Sequence, residues 1–259
     1  EMDKTIKELA CAIFSHLFSL SSSSLYAWKK TSTYAKDNSG LDLVSDTDIE
    51  IENIIKSEIN LFFPKDGILS EESPESGGET KYRWIIDPLD GTHNFLAGFK
   101  EFGISLALEE DGVVIWGGFY FPMLREFFVA EKDRGAFCNE QKIRVSEATN
   151  FTGGMFCSDG VMRRKPREIL KDIEKFCVAG CRVRIYGSSP YAMTRVALGQ
   201  AIVATNRVGK PWDIAASALI VQEAGGMVTD ENGGPWQVDS ENLIATNGIL
   251  HQQALELFR

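Results

Sequence analysis

Apolar residues recur at helical spacing in two segments near the start of the chain. The first series comprises Ile6, Leu9, Ile13 and Leu17, and the second comprises Ile51, Ile54, Ile55, Ile59 and Phe62. Residues three or four apart share one face of a helix, so we predict an amphipathic helix in each segment, the second over residues 47–63. Ser45 and Asp48 have the spacing of an N-terminal capping pair, and Pro64 follows the predicted end of this second helix.

Beyond these helices the pattern changes to short apolar runs separated by turn residues. Residues 83–86 predict a buried strand that ends at Asp87-Pro88, and an antiparallel meander is predicted over 104–108, 113–121, 127–130 and 136–138. Strands are then predicted at 155–157, 183–185 and 201–204, and helices at 167–176, 191–198 and 213–224. The change from an antiparallel meander to alternating strands and helices predicts two domains. They are an N-terminal α+β domain over residues 1–148 and a C-terminal α/β domain over residues 149–259.

The composition excludes several functional classes. The 259 residues are 44% hydrophobic and 25% charged, as in a globular protein with a sizeable core. The formal net charge of −10 argues against nonspecific binding to nucleic acids or acidic membranes, because such binding needs an excess of Lys and Arg. The five cysteines lack paired Cys-x-x-Cys spacing, which favours a reducing cytoplasm. No apolar run has the length of a membrane span, and we favour a packed helix over a secretory signal at residues 9–20 because Asp3 and Glu8 precede it.

The segment with the clearest chemistry is Asp87-Pro88-Leu89-Asp90-Gly91-Thr92. Pro88 fixes its own φ angle, so we expect the chain to turn there and bring Asp90 beside Asp87. Two neighbouring carboxylates repel each other unless a cation lies between them, and oxygen ligands favour Mg²⁺. Gly91 and Thr92 precede a possible helix, whose free N–H groups can bind a phosphate oxygen. The alternative interpretation is a solvated turn, in which these residue types are common.

Other carboxylates stand at the ends of apolar segments and favour the metal site over the turn. Glu71 and Glu72 follow apolar residues 67–69. Asp213 opens one predicted helix and Asp48 opens another. A carboxylate buried at such a place needs a compensating ion. For Asp213 alone, N-terminal capping is an alternative role that is compatible with binding a metal.

Three sequence blocks follow one another at wide spacing. They are Glu71-Glu72-Ser73, then Asp87-Pro88-Leu89-Asp90-Gly91-Thr92 with Asn94-Phe95, and then Pro211-Trp212-Asp213-Ile214-Ala215-Ala216 with Glu223-Ala224-Gly225-Gly226. In order and spacing the chain resembles the inositol monophosphatase family of Mg²⁺-dependent, lithium-sensitive phosphatases along nearly its whole length. The resemblance implies a layered αβαβα sandwich, with the metal site between an N-terminal α+β part and a C-terminal α/β part.

The resemblance also implies a set of metal ligands. Glu71, Asp87 and the backbone carbonyl of Leu89 would hold one Mg²⁺, whose water is the nucleophile. Asp87, Asp90 and Asp213 would hold a second Mg²⁺ that neutralises the phosphate and the leaving alkoxide. Glu71 would hold a weaker third ion together with water. The implied reaction is an in-line displacement by water at a phosphate monoester, without a covalent enzyme intermediate.

The attacking water and the phosphate have implied partners as well. Thr92, paired with Asp48, would orient or deprotonate the water, and Asp46 is an alternative partner for Thr92. The backbone amides of Gly91 and Thr92 would bind phosphate oxygens. His93 stands where the family usually has Thr, and it is either a proton carrier or a supporting hydrogen-bond partner.

The substrate's alcohol part is less closely defined by the resemblance. In the family it contacts the loop that follows Gly187 and an acidic residue at the position of Asn206. The neutral amide of Asn206 argues against inositol phosphate itself, whereas Arg207 and Lys210 suit a second anionic group, as in a sugar bisphosphate or a nucleotide. Alternatively, these two cations pair with nearby acids. The two serines of this loop either contact the substrate or cap the next helix; they are Ser188 and Ser189.

The preferred hypothesis is therefore a Mg²⁺-dependent phosphomonoesterase acting on a small polyol or sugar phosphate similar to inositol 1-phosphate. Alternatives within the family are fructose 1,6-bisphosphate, histidinol phosphate and nucleotides such as PAP or NADP as substrates. Two alternatives of a different class are a regulatory protein that associates with RNA polymerase and a purely structural metal site. The family also implies a homodimer, for which residues 99–102 and 119–128 offer Phe-rich stretches, although core packing is the other use of these rings.

Overall fold

The computed structural model describes residues 9, 13, 32–35, 43–158 and 165–259. Six helices have bounds within these residues: α1 Asp46–Phe62, α2 Thr92–Ala97, α3 Pro166–Val178, α4 Ser189–Ala197, α5 Pro211–Glu223 and α6 His251–Phe258. The first nine strands are β1 Thr33–Ala35, β2 Leu43–Ser45, β3 Gly67–Ser70, β4 Tyr82–Asp90, β5 Gly103–Glu110, β6 Val113–Phe121, β7 Glu126–Glu131, β8 Gly135–Cys138 and β9 Gln141–Lys142. They are followed by β10 Met155–Ser158, β11 Arg182–Ile185, β12 Val203–Asn206, β13 Met227–Asp230 and β14 Leu243–Thr246. None of the described helices is long and apolar enough to cross a membrane.

Seven strands form the first large sheet, in the order β3-β4-β5-β6-β7-β8-β9. Its strands from β4 to β9 pair antiparallel with their neighbours, as the predicted meander requires, whereas β3 is parallel to β4. Helix α1 packs on one face of this sheet because its apolar stripe, which includes Ile51 and Ile55, meets Trp84 and Ile86 of β4. The small sheet formed by β1 and β2 lies before α1 in the chain.

Five strands form the second large sheet, in the order β11-β10-β12-β14-β13. Helices α4 and α5 pack between the two large sheets, and α3 and α6 cover the outer face of the second one. Helix α5 is apolar on every side, with residues 214–221 all buried, because it contacts a sheet on each flank. The layers therefore follow the order helix, sheet, helix, sheet, helix, which is the αβαβα sandwich.

Most predicted elements lie within one to three residues of their observed bounds. Of the predicted first helix, only Leu9 and Ile13 belong to the described residues; both are helical and packed in the cluster that includes Ile51 of α1. Strands β1, β2, β9, β13 and β14 were not predicted. The Phe-rich stretches belong mainly to the core, since Phe102 and Phe119 are buried, while Phe99 is exposed.

Candidate metal centre and active site

A β-bulge brings two aspartates to the same side of β4. Asp87 pairs with Ser105 of β5 and Asp90 pairs with Gly103, so three steps along β4 match two steps along β5. In a regular strand, side chains three residues apart point to opposite faces, and one extra residue restores them to the same face. The expectation that the strand ends at Asp87 was therefore wrong, because Pro88 is accommodated within the bulge.

Asp213 reaches the same place from α5. It is the third residue of this helix, and its Oδ2 accepts a hydrogen bond of 2.9 Å from the N–H of Lys210. The hydrogen bond that caps α5 therefore leaves the Asp213 carboxylate able to face the other two aspartates. Asp87, Asp90 and Asp213 each offer a carboxylate oxygen, and these oxygens lie within 4.8 Å of one another.

The carboxylates form a concentration of negative charge that fits a divalent cation. Burial, followed by the charges of Glu71, Asp90 and Asp213, raises the pKa of Asp87 well above its usual range. Glu71 is close enough to hydrogen-bond with Asp87, because β3 runs parallel to β4 and Ser70 pairs with Ile86. The ligands on offer are all oxygen atoms, which is the donor set that Mg²⁺ prefers.

Thr92 lies next to the carboxylates and contacts Asp48 of α1. The Thr92 hydroxyl is 3.3 Å from Oδ1 of Asp48 and 3.1 Å from the carbonyl oxygen of Leu89, and it can donate its proton to either. Asp48 is buried and accepts hydrogen bonds from the N–H of Ser45, at 2.8 Å, and from the Ser45 hydroxyl. Asp46 is exposed, so the structure brings Asp48 rather than the alternative Asp46 to Thr92.

Gly91 makes the sharp connection between β4 and α2. Its φ of 78° lies in the left-handed region, and a Cβ added here would be 2.9 Å from the carbonyl oxygen of Glu101. His93 is exposed on α2. Asn94 of the same helix donates from its amide nitrogen to the carbonyl of Glu101, at 2.6 Å, and to that of Tyr186, at 2.7 Å. The start of α2 is therefore tied to the segment that precedes α4.

The residues considered for substrate contact are mostly engaged with one another or with the carboxylates. Ser188 donates its hydroxyl proton to Oδ2 of Asp90 and accepts the N–H of Tyr191, at 3.1 Å, so it caps α4. Asn206 is buried, and its amide nitrogen donates to the hydroxyl of Ser189 at 2.8 Å. Its side-chain oxygen accepts the N–H of residue 208 at 2.9 Å. Lys210 is exposed immediately before α5.

Arg207 makes its contacts with residues of the C-terminal half of the chain. It donates two hydrogen bonds, of 2.8 and 2.7 Å, to the carboxylate of Asp172 on α3. It also donates to the carbonyl of Phe258, and its guanidinium lies 3.5 Å from the centroid of that ring. Of the two interpretations of this cation, pairing with an acid is the one that the structure shows.

Two residues without a predicted role support the site from outside it. One is Asn94, which belongs to the central sequence block and makes the two hydrogen bonds to backbone carbonyls described above. The other is Glu52, which is 4% exposed on α1 one turn after Asp48. The available signal was the position of Glu52 between Ile51 and Ile55, where a charged residue falls within the buried stripe of a helix. A carboxylate at such a position requires partners.

Comparison with known proteins gives a consistent picture. A sequence profile described as the inositol monophosphatase family matches residues 2–259. The chain is 37% identical over 237 residues to a fructose-1,6-bisphosphatase/inositol-1-monophosphatase of Thermotoga maritima, covering 89% of this chain and 88% of that protein. It is 37% identical over 222 residues to the putative Nus factor SuhB of Neisseria meningitidis serogroup B, covering 83% and 84%. Among solved structures, the extragenic suppressor protein SuhB of Bartonella henselae superposes with a TM-score of 0.89, at 29% identity, covering 100% of this chain and 98% of that chain.

These findings confirm three predictions made from the sequence: the family, the layered fold, and the enzyme class of phosphoric monoester hydrolase. They also agree with the predicted range of functions, since the relatives include an enzyme named for both a sugar bisphosphate and inositol phosphate, and a SuhB protein.

Proposed function

Because the chain belongs to the inositol monophosphatase family, we propose that it hydrolyses the phosphate monoester of a small polyol or sugar with the help of Mg²⁺. The observation that carries this proposal is the convergence of Asp87, Asp90 and Asp213, whose oxygens lie within 4.8 Å of one another. Thr92 and its partner Asp48 stand beside them, where a water molecule needs a proton acceptor.

This arrangement supports the ligands that the family resemblance implies. Glu71, Asp87 and the carbonyl of Leu89 would hold one Mg²⁺, Asp87 with Asp90 and Asp213 a second, and Glu71 a weaker third. When bound, Mg²⁺ supplies positive charge that lowers the pKa of a water molecule and offsets the charge of the phosphate. The raised pKa of Asp87 supports this, because burial and the neighbouring carboxylates both disfavour its ionised form until cations compensate them.

The chain's own residues orient the water and hold the phosphate. Asp48 is fixed by Ser45, so it can accept the Thr92 hydroxyl proton and leave the Thr92 oxygen free to accept a proton from water. Gly91 is the N-cap and Thr92 the first residue of α2, and their backbone amides would donate to phosphate oxygens. His93 is exposed, and we propose no proton-transfer step for it.

The leaving alcohol is proposed to lie near the loop that precedes α4 and the segment that precedes α5. Ser188, Ser189, Asn206 and Lys210 are the side chains there. Asn206 uses its amide within the protein, which supports a substrate other than inositol phosphate itself, and Lys210 is an exposed cation beside Asp213. A sugar bisphosphate or a nucleotide would present a second anionic group to Lys210.

The test is phosphate release from inositol 1-phosphate, fructose 1,6-bisphosphate, histidinol phosphate, PAP and NADP, with Mg²⁺ and with EDTA. We expect release from at least one substrate only with Mg²⁺, and inhibition by LiCl at fixed Mg²⁺. Asp90→Asn should lower the rate at least about a hundredfold, since even residues outside the metal ligands commonly cost 10 to 100-fold. Asp111→Asn, at an exposed turn, is the matched control and should leave the rate unchanged. Phosphate release that is unchanged by EDTA or by Asp90→Asn would contradict the proposal.

A second candidate function is a regulatory role on the same scaffold, favoured by the 37% identity to a putative Nus factor SuhB. The discriminating measurement is co-purification of the chain with RNA polymerase subunits. Retention of that association in Asp90→Asn would assign it to a surface separate from the carboxylates. If RNA polymerase subunits do not co-purify and the chain turns over a substrate, the phosphatase activity is the function that remains.

We also propose a homodimer and a cytoplasmic location. The exposed ring of Phe99 is a candidate contact for the dimer, which light scattering of the purified protein tests directly. The cysteines within the described residues are free thiols, in keeping with a reducing compartment; they are Cys138, Cys157, Cys177 and Cys181.

A further inference from the structure

Glu52 is a buried carboxylate whose partners are concentrated in one short segment. It lies on α1, one turn after Asp48, and is 4% exposed. Removing a charged group from water is costly unless hydrogen bonds replace the lost hydration. The partners of Glu52 therefore indicate what its burial achieves.

Three of these partners lie at the end of β3 and in the segment that follows it. Oε2 of Glu52 accepts the hydroxyl of Ser70 at 2.5 Å and the N–H of Glu72 at 3.1 Å. Oε1 accepts the hydroxyl of Ser73. Glu71 stands within this segment, between two residues that Glu52 holds.

The ionised form of Glu52 is favoured by its surroundings. Burial alone would raise the pKa of Glu52, but hydrogen bonds from Ser70, Ser73 and Lys56 outweigh burial and lower it. Lys56, one further turn along α1, pairs with the carboxylate at 3.0 Å. An ionised carboxylate only accepts hydrogen bonds, and every group around Glu52 donates one. The donors therefore hold the Glu52 side chain in one orientation.

The other side of the segment is fixed by the sheet. The N–H of Glu71 donates to the carbonyl of Ile86 at 3.2 Å, immediately before Asp87. Residues 70–73 are thus held between α1 on one side and β4 on the other. The direction of the Glu71 side chain depends on both attachments.

We propose that Glu52 is a positioning residue that holds residues 70–73 so that Glu71 faces Asp87, and that it thereby sets the Mg²⁺ affinity of the site. This rests on the proposed function. Asp48 contacts Thr92 from the same helix one turn earlier, so α1 spaces Glu71 relative to Thr92 as a single rigid element. The proposed metal ligand and the group that orients water are then placed by one polar stripe of α1, formed by the buried Asp48 and Glu52 and the half-buried Lys56.

The experiment compares Glu52→Gln with the unchanged chain. Gln preserves the shape but puts an NH₂ group where one carboxylate oxygen accepts hydrogen bonds, so residues 70–73 lose part of their attachment. We expect Mg²⁺ affinity, measured by calorimetry without substrate, to fall about tenfold, as is usual for residues that support metal ligands. The Mg²⁺ concentration for half-maximal phosphate release should rise by the same factor, while KM at saturating Mg²⁺ stays unchanged. In the metal-free protein, hydrogen exchange at the amide of Glu72 should become faster.

Glu50→Gln is the matched control, because Glu50 is exposed on the same helix and the substitution removes the same charge. It should leave Mg²⁺ affinity and exchange at Glu72 unchanged. Should Glu52→Gln fail to fold, Ser73→Ala removes a single donor to Glu52 and should weaken Mg²⁺ binding by a smaller factor.

The outcomes separate this inference from the proposed function. A folded Glu52→Gln protein with unchanged Mg²⁺ affinity overturns the inference, whatever its melting temperature. Weaker Mg²⁺ binding in Glu50→Gln as well as in Glu52→Gln also overturns it, because the effect would then be one of net charge. Failure of the unchanged chain to bind Mg²⁺ overturns the proposed function instead, and the calorimetry of that chain reports this separately.

Discussion

Gly91 joins β4, which carries Asp87 and Asp90, to α2, whose first amides are the proposed donors to phosphate. Two constraints act on it: a left-handed backbone with φ of 78°, and a distance of 2.9 Å from the site of a Cβ to the Glu101 carbonyl oxygen. A side chain at this position would therefore need both a strained backbone and a displacement of residue 101.

We predict that Gly91→Ala lowers the free energy of unfolding by about 2 kcal/mol or more, and reduces phosphate release because the start of α2 is displaced. The control is Gly112→Ala, which has a similar φ of 85° but nothing within 4 Å of the added Cβ. This control should cost about 1 kcal/mol, from the backbone alone, and leave phosphate release unchanged. Urea denaturation and a phosphate assay measure the two effects. Equal losses of stability in both variants would show that the Glu101 contact contributes nothing.

Helix α5 carries Asp213 to the site and is positioned by close packing against β6. A Cβ on Gly117 of β6 would be 2.9 Å from Cα of Ala216 and 3.0 Å from its carbonyl oxygen. The helix backbone thus lies almost directly on the strand. Any residue larger than Gly at this contact must push α5, and Asp213 with it, away from the sheet.

We therefore predict that Gly117→Ala destabilises the protein by about 1 to 3 kcal/mol and weakens Mg²⁺ binding, because Asp213 moves relative to Asp87 and Asp90. Gly77→Ala serves as the control, since a Cβ there meets nothing within 4 Å. Thermal unfolding and calorimetric titration with Mg²⁺ give the two readouts. A destabilised Gly117→Ala protein with unchanged Mg²⁺ affinity would mean that the packing of α5 against β6 does not set the position of Asp213.

The sequence predicts those elements whose residues carry their own periodic signal. Helix α1 is recognisable because Ile51, Ile55 and Ile59 repeat along one face, and the antiparallel strands alternate with clear turn residues. Strands β13 and β14 were missed although β10 and β12, which are equally short, were predicted. The predicted strands of the same sheet alternate with helices along the chain, whereas no helix separates β13 from β14. Their position is decided by their partners in the sheet.

The identities of the acidic residues at the site were also predictable, whereas their arrangement was not. Residues 87–92 attract attention through residue type alone, but the bulge at Asp87 and Asp90 depends on how β4 aligns with β5. The role of Glu52 was not predicted, because a Glu on a helix is usually solvated. Its partners in residues 70–73 come into contact with it only in the folded chain. Similarly, the burial of Arg207 against Asp172 joins segments that are distant in sequence.

The acidic residues of the centre affect the stability of the whole protein. Because the folded-state pKa of Asp87 is raised above the unfolded-state value, the folded chain binds a proton more tightly than the unfolded chain does. In metal-free protein this contribution favours folding at low pH and is lost as pH rises from the ordinary carboxyl pKa through the raised one. Above that range, the ionised cluster opposes folding until cations compensate it.

We predict that Asp87→Asn raises the melting temperature of the metal-free protein at pH 8 and abolishes phosphate release. A gain of about 1 kcal/mol corresponds to roughly 2 to 4 °C in a protein of this size. The gain should disappear at pH 3, where the carboxyl is protonated in both states, and saturating Mg²⁺ should stabilise only the unchanged chain. Calorimetric melting at both pH values, with and without Mg²⁺, makes the comparison. A lower melting temperature for Asp87→Asn at pH 8 would contradict the electrostatic account.

The position of α5 between the two large sheets also bears on how the chain is made. Glu71, Asp87 and Asp90 come together at the neighbouring strands β3 and β4, whereas Asp213 follows much later in the chain, on α5. All four carboxylates therefore meet only after α5 has packed between the two large sheets. During synthesis, the ribosome must release α5 before the carboxylates can assemble, so a nascent chain passes through a long stage with an incomplete cluster. A cation that needs all four carboxylates would therefore bind only the folded chain and would stabilise it relative to the unfolded chain.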